Sequence, residues 1–252
     1  MAAQVNQQPR ERPVDAPTPA GTEPGQARYY KRVQVGNVLV RDYGAGAGTP
    51  AGRILAKTLL RRYGARIKGK RVVELGAQAG APGLTAAKLG AAWTTFVSDD
   101  PKASNALRVE SVKNGVSRTT KSVCTDWLED DLNHEVAADP TDVLVAANAL
   151  HSPRESDRLA HVLTAYAAAS PHLVAVVASP RCRSGVEAKG LQILEARGWT
   201  YTVVDIHADD SEPTPPGHAL AVFEFTRRTS ATPKRGRDGP SDLRPRDETA
   251  VS

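Results

Sequence analysis

The sequence has few cysteines and few aromatic residues, and it lacks a long apolar segment. Two of its 252 residues are cysteines and 5% are aromatic. Because two cysteines cannot build a disulfide framework, we expect a reducing cytosolic or nuclear setting, and of these we predict the cytoplasm. No apolar run approaches the roughly 20 residues of a membrane helix, so we predict no membrane partner. The proline-rich N-terminus lacks a basic region followed by an apolar stretch, so we expect no secretory signal.

The chain has a net charge of +5, but much of the basic excess follows Phe225. A basic tail of this kind is usually a solubilising segment, and charge alone confers no specificity. We therefore predict no specific nucleic-acid partner.

Large apolar residues are almost absent from both ends of the chain. Residues 1–27 and 229–252 cannot bury enough apolar surface to become ordered, so we predict two disordered tails. The intervening residues, 28–228, are enough for a single domain with one substantial core.

The predicted domain begins with a hairpin and a helix. Two short apolar runs flank Gly36-Asn37, a pair that tolerates the positive φ angles of a tight turn, which predicts a β-hairpin. In the amphipathic helix that follows, Thr49 is a plausible N-cap and Pro50 occupies the first helical position. This helix is predicted to end near Gly64.

Beyond the first helix, short apolar runs alternate with helical patterns. The predicted strands are 71–75, 94–98, 119–124, 142–147, 173–178, 200–206 and 219–225, and the helices are 82–89, 103–113, 157–169 and 186–197. This alternation predicts a sheet covered on both faces, and the last two strands have only a loop between them. The predicted fold is therefore α/β: a Rossmann-like, doubly wound, seven-stranded, mostly parallel sheet with an antiparallel final strand and an N-terminal β-hairpin.

A glycine-rich segment, Glu-Leu-Gly-Ala-Gln-Ala-Gly-Ala-Pro-Gly at 74–83, connects a predicted strand to a helix. This is the setting of a nucleotide-cofactor loop, where glycine lets the backbone approach a ligand. Asp99, at the tip of the next strand, occupies the position that reaches ribose hydroxyls in doubly wound folds. The ends of parallel strands share one edge of the sheet, where four residues should converge: Glu74, Asp99, Asp126 and Ala147. Alternatively, the glycines only permit close packing of the strand against the helix.

The loop departs from the dinucleotide fingerprint. When G-x-G-x-x-G is aligned on Gly80 and Gly83, its first glycine position holds Gln78. Glu74, two residues before Gly76, indicates instead a ligand with a positive amino group. S-adenosylmethionine carries such a group, and we predict it as the cofactor. We find no zinc pattern and predict no metal.

Five segments in order carry a further signal, namely 51–56, 69–83, 98–101, 126–127 and 142–150. They resemble the motifs of seven-β-strand S-adenosylmethionine-dependent methyltransferases, and within these they are similar to the group of protein-lysine methyltransferases and nicotinamide N-methyltransferase-like proteins. The resemblance covers roughly residues 30–226. Within the group, Ala51-Gly52-Arg53 and Pro82 most resemble the fungal-type enzyme that methylates translation elongation factor 1-alpha at its N-terminus and a nearby lysine.

The resemblance implies a set of cofactor-binding residues. It implies that Gly76, Ala77 and Gln78 line the methionine end, that Asp99 binds the ribose, that Trp127 flanks the adenine, and that Ala147 contacts the cofactor by its backbone.

Three positions depart from the family pattern, namely Thr49, Gln78 and Asn148. Three functions therefore stay open: a protein N-methyltransferase acting on elongation factor 1-alpha, a small-molecule amine methyltransferase of the nicotinamide type, and a methyltransferase fold that binds a partner without catalysis. Methyl transfer depends on positioning and on a neutral amine, so no covalent nucleophile is needed and no catalytic residue is predicted. His151 could face a substrate, although a lone histidine is more often a surface or packing residue.

Overall fold

The structure is a computed structural model that describes residues 31–42, 49–128, 139–181, 185–207 and 219–228. The two predicted tails lie outside these residues, as does Cys182. Within the described ranges, no helix combines the length and the apolar character needed to cross a bilayer.

The described chain begins with a hairpin and a long helical segment. Strands β1 (Lys31–Val35) and β2 (Val38–Asp42) are antiparallel, and the turn between them holds Gly36 at φ +57°. The helical segment comprises α1 (Pro50–Thr58), a π-helical turn (Leu59–Tyr63) and α2 (Gly64–Ile67). The remaining elements are β3 (Arg71–Leu75), α3 (Ala81–Lys88), β4 (Trp93–Ser98), α4 (Pro101–Lys113), a 3-10 turn (Ser117–Thr119), β5 (Thr120–Cys124), β6 (Val143–Ala147), α5 (Pro153–Ala169), β7 (Val174–Arg181), α6 (Val186–Ala196), β8 (Trp199–His207) and β9 (Ala219–Arg227).

Seven strands form one sheet in the order β5-β4-β3-β6-β7-β9-β8. The pairs from β5 to β7 are parallel, whereas β9 runs antiparallel to both of its neighbours. The predicted mostly parallel, seven-stranded sheet with an antiparallel final strand is confirmed, and so is the N-terminal hairpin. The chain runs outward from β3 to β5 and then returns to place β6 on the other side of β3. The winding direction therefore reverses between β3 and β6.

Alternate residues of the central strands pack against opposite layers of helices. On β6, Leu144 and Ala146 belong to a core shared with α5 and α6, while Val143 and Val145 belong to a core shared with α1. All four side chains are at most 5% exposed. A parallel strand buried on both faces requires such a continuous apolar run, which is why its sequence has no polar alternation.

The hairpin packs against α3 and α4, where Val35, Val38 and Val40 join a third buried cluster. Asn114, just after α4, attaches β2 by two hydrogen bonds. Its Oδ1 accepts from the N–H of Leu39 at 3.0 Å, and its Nδ2 donates to the Leu39 carbonyl at 2.9 Å. The hairpin is thus attached to the domain by apolar contacts with α3 and α4 and by the hydrogen bonds of Asn114.

The first helical segment does not end near Gly64 as the sequence predicts. It continues through the π-helical turn to Ile67. Tyr63 and Ile67 are buried against the sheet, and their burial outweighs the roughly 1 kcal/mol by which glycine disfavours a helix interior.

Helix α5 begins at Pro153, four residues before the predicted start at Asp157. Ser152 caps it, because its Oγ accepts from the N–H of Glu155 at 3.2 Å and donates to Glu155 Oε2 at 2.9 Å. The Ser-Pro-Arg-Glu spacing is that of a capping box, a signal present in the sequence.

A polar contact connects the end of the first helical segment to β9. The buried hydroxyl of Tyr63 donates to Glu224, and Arg66 places Nη1 and Nη2 at 2.7 and 3.0 Å from the two oxygens of that carboxylate. Burial alone would raise the pKa of Glu224. The hydrogen bonds from Arg66 and Tyr63 outweigh burial and hold the pKa below its usual value.

We expect Glu224→Ala to lower the free energy of unfolding by about 2 kcal/mol at neutral pH, because the buried Tyr63 hydroxyl loses its acceptor. Since the pKa of Glu224 is depressed in the folded state, its contribution is present above the ordinary value of 4.5 and is lost as the pH falls below it. Denaturant unfolding at neutral and acidic pH measures both effects. Glu195→Ala, at an exposed position of α6, is the control and should change stability by about 0.5 kcal/mol or less. Equal losses in the two variants would contradict this prediction.

Candidate active site

A cavity of about 230 Å³ opens at the carboxyl edge of the sheet, where the winding reverses between β3 and β6. Its walls come from the ends of β3, β4 and β6, the turn after β5, and the first turns of α1 and α5. Five of the six residues predicted to bind the cofactor line it: Gly76, Gln78, Asp99, Trp127 and Ala147. The reversal point of a doubly wound sheet is where such folds bind ligands.

Two of the residues expected at this edge, Ala77 and Asp126, do not line the cavity. The side chain of Ala77 is fully buried beneath the loop, and its N–H donates to the Val97 carbonyl at 2.8 Å, so it does not line the cavity. Asp126 accepts from the N–H of Leu128 at 2.8 Å, which shapes the turn that carries Trp127. Glu74, Asp99 and Ala147 do converge on the cavity as expected.

The glycines of the loop have two separate roles. Gly76 is exposed to the cavity at φ +66°, and a Cβ there would lie 3.2 Å from Nε1 of Trp127. Gly80 instead permits packing, because a Cβ there would lie 2.2 Å from Cδ2 of Leu107 in α4. Close packing therefore explains the second glycine, whereas the first keeps the backbone open beside the indole.

The carboxyl group of Glu74 lies inside the protein at the bottom of the cavity. It accepts a hydrogen bond from the N–H of Gly83 at 2.8 Å. Burial raises the pKa of Glu74 to about 8, and the hydrogen bond from Gly83 offsets only part of that rise. Because a cationic amino group beside this carboxyl would favour its charged form, the site suits the ammonium end of an amino-acid-like ligand.

The two adjacent aspartates after β4 have different roles. Asp100 caps α4 by accepting from the N–H of Lys102 at 2.8 Å. Asp99 is exposed and lines the cavity. The carboxylate of Asp99 is therefore in position to accept hydrogen bonds from a diol such as that of a ribose.

Trp127 forms the wall next to the loop and is held from behind by α5. Its side chain is 8% exposed. Its backbone carbonyl accepts from Nε of Arg158 at 2.9 Å, and Arg158 is itself only 7% exposed. The sequence did not indicate Arg158, because an arginine within an amphipathic helix is normally expected on its solvent-exposed face.

Polar side chains form the wall opposite the loop. Asn148 follows β6 at φ +61°, a left-handed conformation that asparagine tolerates better than most residues. Its carbonyl is hydrogen-bonded to Nδ1 of His151, which also lies 2.8 Å from Oε2 of Glu155. All three residues line the cavity, together with Thr49 at the cap of α1. Glu155 was also missed, although the capping-box spacing after Ser152 places it in the first turn of α5.

These residues fit S-adenosylmethionine. Asp99 would hold the ribose hydroxyls, Trp127 would flank the adenine, and the carboxyl group of Glu74 would supply a counter-charge for the amino group. When bound, this cofactor supplies an electrophilic methyl group on a sulfonium sulfur. The polar wall of Asn148 and His151 would then lie on the side left for a methyl acceptor.

We expect Glu74→Gln to change how stability depends on pH. Because the folded pKa of Glu74 is raised from 4.5 to about 8, its contribution is fully present below 4.5 and is lost as the pH rises through about 8. Glutamine keeps an oxygen for the N–H of Gly83 and cannot ionise, so stability of the native protein should fall relative to the variant over this range. Denaturant unfolding across this pH range measures the difference. Glu195→Gln, at an exposed site, should show no such trend, and a gap that is independent of pH would refute the prediction.

Comparisons with known proteins agree with this geometry. The family model described as lysine methyltransferase matches residues 45–196. No curated protein sequence matches the chain.

Solved structures with the same fold include three methyltransferases. The chain is similar to the Thermus thermophilus 16S rRNA N2 G1207 methyltransferase in complex with AdoMet and guanosine (19% identity, TM-score 0.58, 80% of this chain and 50% of that one). It is also similar to a TehB-like SAM-dependent methyltransferase from Corynebacterium glutamicum (18% identity, TM-score 0.51, 72% of this chain and 91% of that one). A third is the ribosomal protein L11 methylase from Lactobacillus delbrueckii subsp. bulgaricus (16% identity, TM-score 0.52, 73% of this chain and 82% of that one). At these identities the likeness establishes the fold.

The family match covers more than half of the 252 residues and includes every residue that lines the cavity. The predicted methyltransferase class and cofactor are thereby confirmed. The chain belongs to the lysine methyltransferase family, whose methyl donor is S-adenosylmethionine.

Proposed function

We propose that this enzyme methylates a protein amine, and that its substrate is translation elongation factor 1-alpha, modified at its N-terminus, at a lysine, or at both. The observation that carries the proposal is the match to the lysine methyltransferase family across the residues that build the cavity. A lysine side chain and an N-terminal amine are both cations that must reach the methyl donor as neutral amines.

All but one of the cofactor residues of the proposal line the cavity. Asp99 holds the ribose, Trp127 flanks the adenine, and Ala147 contributes backbone contacts. Gly76 and Gln78 line the methionine end. Ala77 contributes by supporting the loop from below, through its hydrogen bond to Val97.

The acceptor approaches from the opposite wall. Asn148, His151 and Glu155 make that wall polar and acidic, which favours a cationic amine over a phosphate-bearing substrate.

The choice of elongation factor 1-alpha rests on the resemblance at Ala51-Gly52-Arg53 and Pro82. Gly52 and Pro82 line the cavity. A Cβ at Gly52 would lie 4.0 Å from Cβ of Ala147 and 3.6 Å from Oγ1 of Thr49. Gly52 therefore lies between Thr49 of the polar wall and Ala147 of the cofactor side, where it can influence which amine enters.

Asp99→Asn should weaken binding of the cofactor about tenfold or more, because a charge-assisted hydrogen bond to the ribose becomes a neutral one. Calorimetric titration of the full chain with S-adenosylmethionine measures the dissociation constant. Asp100→Asn is a matched control on the neighbouring residue, since asparagine also caps helices and the affinity should be unchanged. No heat from the native chain at high micromolar cofactor, or equal losses in both variants, would overturn this assignment.

The substrate is tested by incubating the full chain with methyl-labelled cofactor and purified elongation factor 1-alpha. We expect label on its N-terminus or on a lysine, located by mass spectrometry of peptides, and we expect less label with Asp99→Asn when the cofactor concentration is below the dissociation constant of the native chain. A parallel incubation with cell lysate distinguishes the alternative classes of substrate. Label confined to small molecules would replace the protein substrate with a nicotinamide-type amine, and label confined to RNA would replace it with a nucleic acid.

A further inference from the structure

His151, Glu155 and Ser152 form a hydrogen-bonded group on the acceptor wall of the cavity. Oε2 of Glu155 lies 2.8 Å from Nδ1 of His151 and accepts from Oγ of Ser152 at 2.9 Å. The side chain of His151 is 54% exposed, whereas that of Glu155 is 17% exposed. The carboxylate is therefore held by two hydrogen-bonding partners and is less exposed than the imidazole, and both side chains line the cavity.

The contacts of Nδ1 determine which nitrogen of His151 carries the proton. Its two partners are the carbonyl oxygen of Asn148 and the carboxylate of Glu155, and both are acceptors. A neutral imidazole carries a proton on one nitrogen, so this environment places the proton on Nδ1 and leaves the lone pair on Nε2. Because the side chain of His151 is 54% exposed and lines the cavity, an Nε2 with a free lone pair can accept a proton from a bound substrate.

We propose that His151 accepts the proton of the substrate ammonium at Nε2 and that Glu155 is the positioning residue for the imidazole. This inference rests on the proposed function, since it concerns an amine acceptor. His151 is then a catalytic residue, because it touches the reacting amine. Glu155, in the first turn of α5, supplies a carboxylate on the same wall as Asn148, whose side chain is uncharged.

The proposed reaction transfers one proton and one methyl group. The ammonium of the substrate loses one proton to Nε2 of His151, which becomes an imidazolium next to the Glu155 carboxylate. The lone pair of the resulting neutral amine forms a bond to the methyl carbon as the carbon–sulfur bond breaks, and the electrons of that bond stay on sulfur. The product is a methylated ammonium, and His151 releases its proton to solvent. Glu74 and Asp99 are the other ionisable side chains among the described residues lining this cavity.

The tautomer of His151 is measured first, by nitrogen NMR on the full chain with neither cofactor nor acceptor present. We expect Nδ1 to be protonated and Nε2 to be bare when the ring is neutral. His161 is exposed on α5 and serves as the internal reference. In Glu155→Gln, we expect the population with a bare Nε2 to decrease. A neutral ring protonated at Nε2 in the native chain would overturn the proposal, whatever the activity of the enzyme.

Methyl transfer to purified elongation factor 1-alpha is measured second. His151→Gln should lower kcat at neutral pH by about 10² to 10⁴-fold, the usual contribution of a general base, with little change in KM. The deficit should shrink as the pH rises, because a lysine amine, with an ordinary pKa of about 10.4, then loses its proton to solvent. Glu155→Gln should cause a smaller loss of about tenfold, since the imidazole itself is kept.

His161→Gln is the matched control and should keep the native rate at every pH. A His151→Gln deficit that does not change with pH, or no deficit, would overturn the proposal. If the native chain methylates no acceptor, the proposed function fails. The tautomer measurement is independent of that result and still decides whether Nε2 of His151 is free to accept a proton.

Discussion

The carboxyl group of Glu74 is buried at the end of β3 and accepts a hydrogen bond from the N–H of Gly83 in the first turn of α3. A Cβ at Gly83 would lie only 2.5 Å from Oε2 of Glu74 and from Cε1 of Phe96. Helix α3 can therefore begin this close to the sheet only with glycine at that position. This close approach determines the path of the whole loop, because the chain must travel from β3 to α3 around the Glu74 carboxyl. The loop consequently carries Gly76 and Gln78 to the rim of the cavity.

The position of this loop also organises the other wall. Gly76 leaves room for the Trp127 indole, and Trp127 is in turn held by the buried Arg158 of α5. The same helix brings Glu155 and, just before it, His151 to the opposite side of the cavity. One helix therefore supports the aromatic wall of the cofactor side and supplies the polar wall of the acceptor side. Substitutions inside α5 should consequently alter both the cofactor side and the acceptor side of the cavity.

The parts of the fold that local sequence signals predicted are those whose causes are local. Thr49 caps α1 through the N–H of Gly52 three residues later, at 3.2 Å, and the apolar runs of β3 and β6 are buried on both faces as their patterns indicate. The cofactor loop and Asp99 were found because a strand, a glycine loop and an acidic strand end follow each other closely in the chain. Glu155 could have been found in the same way, from the capping-box spacing after Ser152.

The sequence alone was sufficient for the order of the strands and helices, the mostly parallel sheet and the type of cofactor, and five of its six predicted cofactor residues line one cavity. It was insufficient where the interacting groups are far apart in the chain. Tyr63 meets Glu224 across 161 residues, and Trp127 meets Arg158 across 31. Those contacts extend a helix beyond Gly64 and fix the aromatic wall. The tertiary structure also turned Ala77 away from the cavity and brought His151 and Glu155 into contact beside it. The physical reason is that burial and pairing of polar groups depend on which distant elements pack together, and no local pattern of residues encodes that choice.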